Sequence, residues 1–223
     1  MFIKELWRYP IKSMAGERLR KAKITLAGIA GDREILVIGA NGRIITSRTH
    51  HRLLGLKGTL REDGVPLISG HHWDSAEALE LVKAAVGTDV HLIQYEGLER
   101  FDVLPLLVAT DGAIAYMGFD GRRLRPNIVI GGVEGLAERE WQTRRLRVGE
   151  TVIEAVKLRG RCVMTTYDPD TLQQDRSVLK RIVNELDGTM ALDCEVVEEG
   201  FIREGDPVEL LPISSVLSAS GFA

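Results

Sequence analysis

Glu34-Ile35-Leu36-Val37-Ile38-Gly39-Ala40-Asn41-Gly42-Arg43-Ile44-Ile45-Thr46-Ser47 sets two apolar runs on either side of Asn41-Gly42. That dipeptide tolerates the positive φ angles of a type I′ turn, whose twist matches paired antiparallel strands, so the stretch predicts a hairpin. Short runs of the same character precede it at Phe2 to Trp7 and Lys21 to Leu26. The chain is therefore expected to begin as an antiparallel β subdomain.

Outward from the hairpin, the period changes. Asp74 and Glu77 have the spacing of a capping box, and Leu79, Val82 and Val86 recur at helical intervals before Gly87. A second helix is expected from Ser177 to Leu186, where Val178, Leu179, Ile182, Val183 and Leu186 form one apolar stripe closed by Gly188. Strand-like runs return at Asn127 to Ile130, Arg144 to Val148, Thr151 to Leu158, Asp193 to Val197 and Pro207 to Leu211. Many short strands with two helices predict a β-rich α+β architecture rather than alternating βαβ units. From Ser214 to Ala223 the chain is small and polar, with no expected structure.

The 223 residues suffice for one large domain or two small interlocked ones, and 44% hydrophobic with 27% charged residues is ordinary for a soluble globular protein. A net charge of -3 argues against nucleic acid as the main partner, although a balanced total can conceal a basic pocket for one phosphate. No apolar run approaches the roughly 20 residues that span a bilayer, and the N-terminus has no signal-peptide layout. With two distant cysteines and no Cys-x-x-Cys spacing, a reducing cytoplasm and no membrane association are the expectation.

Cys162 follows a strand, with Arg159 and Arg161 close by in Leu158-Arg159-Gly160-Arg161-Cys162-Val163-Met164-Thr165-Thr166. Positive charge there favours the thiolate that binds metals or attacks electrophiles, whereas a free cysteine taken alone is more often a small buried hydrophobe. Cys194 lies in a strand with acidic neighbours and reads as core. Three further segments carry anion-binding residue types. Tyr9-Pro10-Ile11-Lys12-Ser13 ends a strand on a lysine and a hydroxyl. Gly28-Ile29-Ala30-Gly31-Asp32-Arg33 turns tightly into Arg33, which can snorkel or pair with Asp32. In Arg125-Pro126-Asn127, the arginine suits a bidentate phosphate and the asparagine a heterocycle edge. His50-His51 and His71-His72 lack the carboxylate–histidine spacing of a metal site and read as surface or loop residues.

In their order, Tyr9-Pro10-Ile11-Lys12-Ser13, Gly31-Asp32-Arg33, Arg125-Pro126-Asn127-Ile128-Val129-Ile130 and Arg161-Cys162, followed by Thr165-Thr166 and Asp168-Pro169-Asp170-Thr171, resemble the signatures of MOSC proteins that carry an N-terminal β-barrel. The mitochondrial amidoxime-reducing components and their bacterial homologues belong to this group. The resemblance implies a MOSC β-barrel domain over residues 101–212, closely interlocked with a β-barrel-like subdomain over 1–100 and followed by a tail at 213–223. It implies a molybdenum cofactor, molybdopterin with Mo, whose metal is ligated by Cys162, the catalytic position. The cofactor contacts would be Lys12, Ser13, Arg33, Arg125, Asn127 and Arg161. Gly112-Ala113-Ile114 stands where relatives have Ala-Ser-Leu, and Gly160 where they often have serine; Thr110 and Asp111 are the expected substitutes for the missing hydroxyls. The implied activity is reduction of small N-hydroxylated substrates with electrons from a separate electron-transfer protein. The alternative is a cofactor carrier or sulfurtransferase holding a persulfide on Cys162. Pyridoxal phosphate binding accompanies the family only as a general attribution.

Overall fold

In the computed structural model, which describes residues 1–212, the first strand is bent by its own sequence. Ile3 and Leu6 have opposite parity, yet both are buried in one core, because the register slips between Ile3 and Glu5. Such a bulge turns both side chains to one face. The strands are β1 (Phe2–Arg8), β2 (Glu17–Leu19), β3 (Lys21–Thr25), β4 (Gly28–Ile29), β5 (Ile35–Gly39), β6 (Gly58–Leu60), β7 (Pro66–Ile68) and β8 (His71–His72). After helix α1 (Ala76–Val86) come β9 (Val90–Gln94), β10 (Leu106–Thr110), α2 (Asp111–Met117), β11 (Ile128–Gly131), β12 (Arg144–Val148) and β13 (Thr151–Gly160). Helix α3 (Arg176–Leu186), β14 (Thr189–Glu198), β15 (Gly200–Arg203) and β16 (Glu209–Leu210) complete the described chain. The tail expected at 213–223 lies outside the described residues.

The architecture is strand-rich α+β. An eight-stranded sheet runs β16-β12-β13-β14-β10-β11-β1-β2, so the N-terminal β1 and β2 sit in the same sheet as the C-terminal strands. Strands β15, β3 and β4 form a second sheet, and Ala22, Ile24, Ile29 and Ile202 from it pack on Leu106, Val108, Ile128 and Ile130. On the other face of β10, Leu107 and Ala109 meet α2 and α3 through Ala113, Met117, Val178, Ile182 and Leu186. Covered on both faces, β10 is apolar at consecutive positions instead of alternating. A separate core joins α1 to β5 and β9 through Val82, Val86, Ile35, Val37 and Val90, with Ile11 and Met14 inserted from the N-terminal segment.

Several expectations are corrected. The hairpin turn forms, but only Gly42 takes positive φ, 73°, and the arm after it makes one isolated bridge, Ile38 to Ile44. The full partner of β5 is β9, whose packing under α1 supplies a larger apolar contact than the half-exposed 43–47 arm. Helix α1 is capped by Ser75, whose Oγ accepts the Ala78 N–H at 3.2 Å, rather than by Asp74; Gly87 closes it in the left-handed region at φ 82°. A third helix, α2, lies between β10 and β11, which pair in parallel. One crossover of the βαβ kind is thus embedded in an otherwise antiparallel sheet.

Candidate functional site

The site is assembled by Asp32, a fully buried carboxylate that ties three segments together. One oxygen accepts the Tyr9 backbone N–H at 2.6 Å; the other accepts Asn127 Nδ2 at 3.1 Å and pairs with Arg33. Asn127 is itself fully used: its Oδ1 accepts the Leu107 N–H at 3.1 Å, and Nδ2 also reaches Trp7 O at 3.4 Å. The loop following Gln94 is pinned by Arg100, which donates to the carbonyls of Asp32, Gly97 and Ala27 and lies 4.4 Å over the Phe101 ring.

These braces bring Lys12, Ser13, Arg33, Arg125, Asn127, Arg161 and Cys162 onto the wall of one cavity. Three of them, Ser13 at φ 72°, Arg33 at 58° and Arg125 at 56°, occupy the left-handed region. Side-chain-bearing residues hold that conformation only where their surroundings enforce it, and such strain gathers at functional sites. Cys162 is half-buried and extended, at the junction of β13 with the turn Val163–Thr166. Cys194, by contrast, is buried in the core, where burial pushes its thiol pKa up.

Seven cationic side chains line the cavity, Lys12, Arg33, Arg48, Arg123, Arg125, Arg159 and Arg161, against one carboxylate, Asp102. Lys12 Nζ donates to Arg100 O at 2.6 Å and Asp102 Oδ1 at 2.9 Å; Arg48 takes the second Asp102 oxygen at 2.9 Å. Burial lowers the Lys12 pKa, with Asp102 partly offsetting it. Burial alone would raise Asp102, but the charge and hydrogen bond of Lys12, followed by Arg48 and Arg33, hold it down at about 2. Behind the wall, Asp168 pairs with Arg123 at 3.0 Å and Asp193 with Arg159 at 2.6 Å.

Arg125 and Arg161 have no acidic partner among the described residues. Desolvation draws each guanidinium down to about 10. Arg125 lies 4.3 Å over the Tyr9 ring; Arg161 gives Nη2 to Leu124 O at 2.9 Å, while its buried Nε makes no hydrogen bond. A guanidinium stays protonated at neutral pH. Two desolvated, uncompensated cations beside a cysteine therefore make an anion-binding cavity, within a chain of net charge -3.

Thr110 and Asp111 do not line this cavity. Thr110 Oγ1 caps α2 through the Ala113 N–H at 3.2 Å and donates to buried Glu138 at 3.1 Å. Asp111 accepts the N–H groups of Gly132 and Val133 at 3.0 and 3.1 Å. Both side chains are consumed in holding the start of α2. A Cβ at Gly112 would come within 2.3 Å of Val133 O, so glycine is demanded there by packing. A Cβ at Gly160 would meet nothing within 4 Å. Asp102 and Arg48, also on the wall, had no motif to mark them.

The family model of the MOSC N-terminal beta barrel domain matches residues 1–110, and that of the MOSC domain matches residues 105–209. Human mitochondrial amidoxime-reducing component 1 is 24% identical, over 94% of this chain and 82% of its own length. Mouse mitochondrial amidoxime-reducing component 1 is 25% identical with the same coverage. The crystal structure of the YuaD protein from Bacillus subtilis superimposes with a TM-score of 0.52 at 14% identity, covering 94% of each chain, which shows a shared fold. Among the described residues no helix is long and apolar enough to cross a membrane. Between them the two matched regions cover nearly the whole sequence, and the chain belongs to the MOSC family.

Proposed function

We propose that this chain is a molybdenum-dependent reductase of N-hydroxylated compounds, within the molybdenum-cofactor-related function that its family supports. The observation that carries the reading is Cys162 on the wall of a cavity where Arg125 and Arg161 lack an acidic partner. The donor set fits the cofactor. A soft thiolate suits the metal, and Arg125 and Arg161 offer guanidinium donors to a phosphate. Lys12 and Arg33, already anchored to Asp102 and Asp32, add positive potential rather than free donors. Ser13 presents a hydroxyl beside them, and Phe101, Leu104, Leu107 and Leu124 form the apolar side of the cavity.

When bound, the cofactor supplies a two-electron metal centre at which an N–O bond is broken, giving amine or amidine and water with two protons and with electrons from a separate electron-transfer protein. The protein's part is to fix that centre and its anionic tail. Asn127, with all its polar atoms committed, positions the cavity wall instead of reading a heterocycle.

Molybdenum and pterin analysis of protein made in a cofactor-competent host tests the reading. Wild type is expected to carry both and to reduce benzamidoxime with an artificial donor; Cys162→Ala loses the metal and turnover, and Arg125→Ala retains less cofactor. Full molybdenum content and benzamidoxime reduction in Cys162→Ala would sink the assignment. Bound pterin without any turnover would favour the carrier or sulfurtransferase alternative.

A further inference from the structure

A second groove adjoins the cysteine cavity, and the two share Arg123, Arg125 and Met164 as a common wall. Trp7, Tyr9, Leu54, Met164, Tyr167 and Pro169 give it a largely apolar and aromatic lining. The ring of Tyr167 is held flat against His51, with centroids 4.8 Å apart and planes 2° from parallel. Two of its three arginines are neutralised, unlike Arg125, which it shares with the neighbouring anion site. Arg122 is clamped by Asp120 and Asp170, each at 2.6 Å. Arg123 is held by Asp168 at 3.0 Å and Thr166 O at 3.1 Å. Tyr9 Oη donates to Pro126 O at 3.1 Å, and burial raises its pKa, so the phenol is neutral.

The groove thus offers flat apolar surface, Arg122 and Arg123 already neutralised, Arg125 lying over the Tyr9 ring, and few side-chain hydrogen-bond acceptors. A pterin ring, whose amino and ring N–H groups need acceptors, would leave them unsatisfied there. An aryl group needs none and gains from leaving water. We propose that this groove is an annex to the cysteine cavity that binds the aromatic body of a neutral N-hydroxylated substrate, with its N–O end directed past Met164 toward Cys162. The turnover part of this inference rests on the reductase reading; the binding part does not.

The test uses cofactor-loaded wild type, Ala15→Phe, which adds a bulky ring to the lining, and Tyr167→Ala, which removes its stacked wall. Equilibrium binding of benzamidoxime and acetamidoxime is measured by titration, alongside pterin content and turnover of both. Burial of a phenyl ring should let wild type prefer benzamidoxime by about tenfold or more. Ala15→Phe should cut that preference by most of its value with pterin content intact. If Ala15→Phe does not fold, Tyr167→Ala should lower the same ratio by about threefold, the scale of one lost aromatic contact. No aryl preference in wild type, an unchanged ratio in the folded variants, or pterin lost from Ala15→Phe would each overturn the annex. Wild type that binds with this preference but turns over neither compound leaves the annex standing and removes the reductase reading.

Discussion

Asn127 shows how a residue can occupy a binding-site wall while serving the fold. It is 1% exposed and joins Leu107, Trp7 and Asp32 at once. In Asn127→Ala the Leu107 N–H is orphaned and Asp32 loses a donor, costing about 3 kcal/mol. Urea unfolding of the cofactor-free protein should show that loss; unchanged stability with lost cofactor would instead make Asn127 a direct contact. Asp102 gives a pH-dependent counterpart. Its folded pKa of about 2 lies below the ordinary 3.8, so its stabilisation is complete above about pH 4 and disappears as pH falls through 2. The side chain is 36% exposed, and solvent screening keeps the size modest. Asp102→Asn should therefore be less stable than wild type at pH 6, with the gap in urea midpoint closing toward pH 2. A gap independent of pH would refute that origin. The motif residues Lys12, Arg33, Arg125 and Cys162 were legible because their types and order are distinctive. Asp102 was not, because an aspartate in an exposed-looking loop gains meaning only from the distant Lys12 and Arg48 that meet it.

At the scale of elements, α2 and β10 are the instructive pair. Leu106-Leu107-Val108-Ala109 is apolar throughout because one face meets the main core and the other meets the helices. A run of four with no alternation does not distinguish strand from helix, so β10 escapes sequence reading although it sits mid-sheet. Helix α2 is only seven residues long and starts Asp111-Gly112, a poor helical opening by propensity. Its glycine is explained by packing. Alanine there would gain about 1 kcal/mol of helix propensity, but its Cβ would fall 2.3 Å from Val133 O and 2.7 Å from Gly135 O. Backbone atoms cannot rotate away, and overpacking costs about 2–3 kcal/mol, so Gly112→Ala should be net destabilising. A higher melting temperature for that variant would show that the 133–135 loop yields freely. The predicted hairpin is only partly realised: its turn forms and its second arm bridges β5 at Ile38–Ile44, while the continuous partner of β5 is the non-local β9.

For the whole molecule, the consequence of the topology is that sequence order and structural units do not coincide. The first thirty residues contribute β1 and β2 to the eight-stranded sheet and β3 and β4 to the sheet that covers it. Ile3, Leu6, Ile24 and Ile29 share a core with Ile128, Ile130, Leu192 and Ile202. The same chain path delivers Lys12 and Ser13 to the cavity from the end of β1, so the cavity exists only where early and late segments are already paired. Strand-rich character was readable from turn residues and short apolar runs, but this interlock was not, because pairing between β1 and β11 leaves no trace in local pattern. A chain beginning at residue 101 would leave β11 without its antiparallel partner and the main core without those four side chains. Burying each such aliphatic side chain contributes about 1.5–3 kcal/mol, a sum comparable with the roughly 5–15 kcal/mol that keeps a domain folded. The shortened chain is therefore expected to lack dispersed amide resonances and a cooperative urea transition, while the full chain unfolds that core in one step. A folded, monomeric 101–212 segment would show that the N-terminal strands only decorate the sheet, and the cavity residues they carry would then have to be recruited after folding rather than by it.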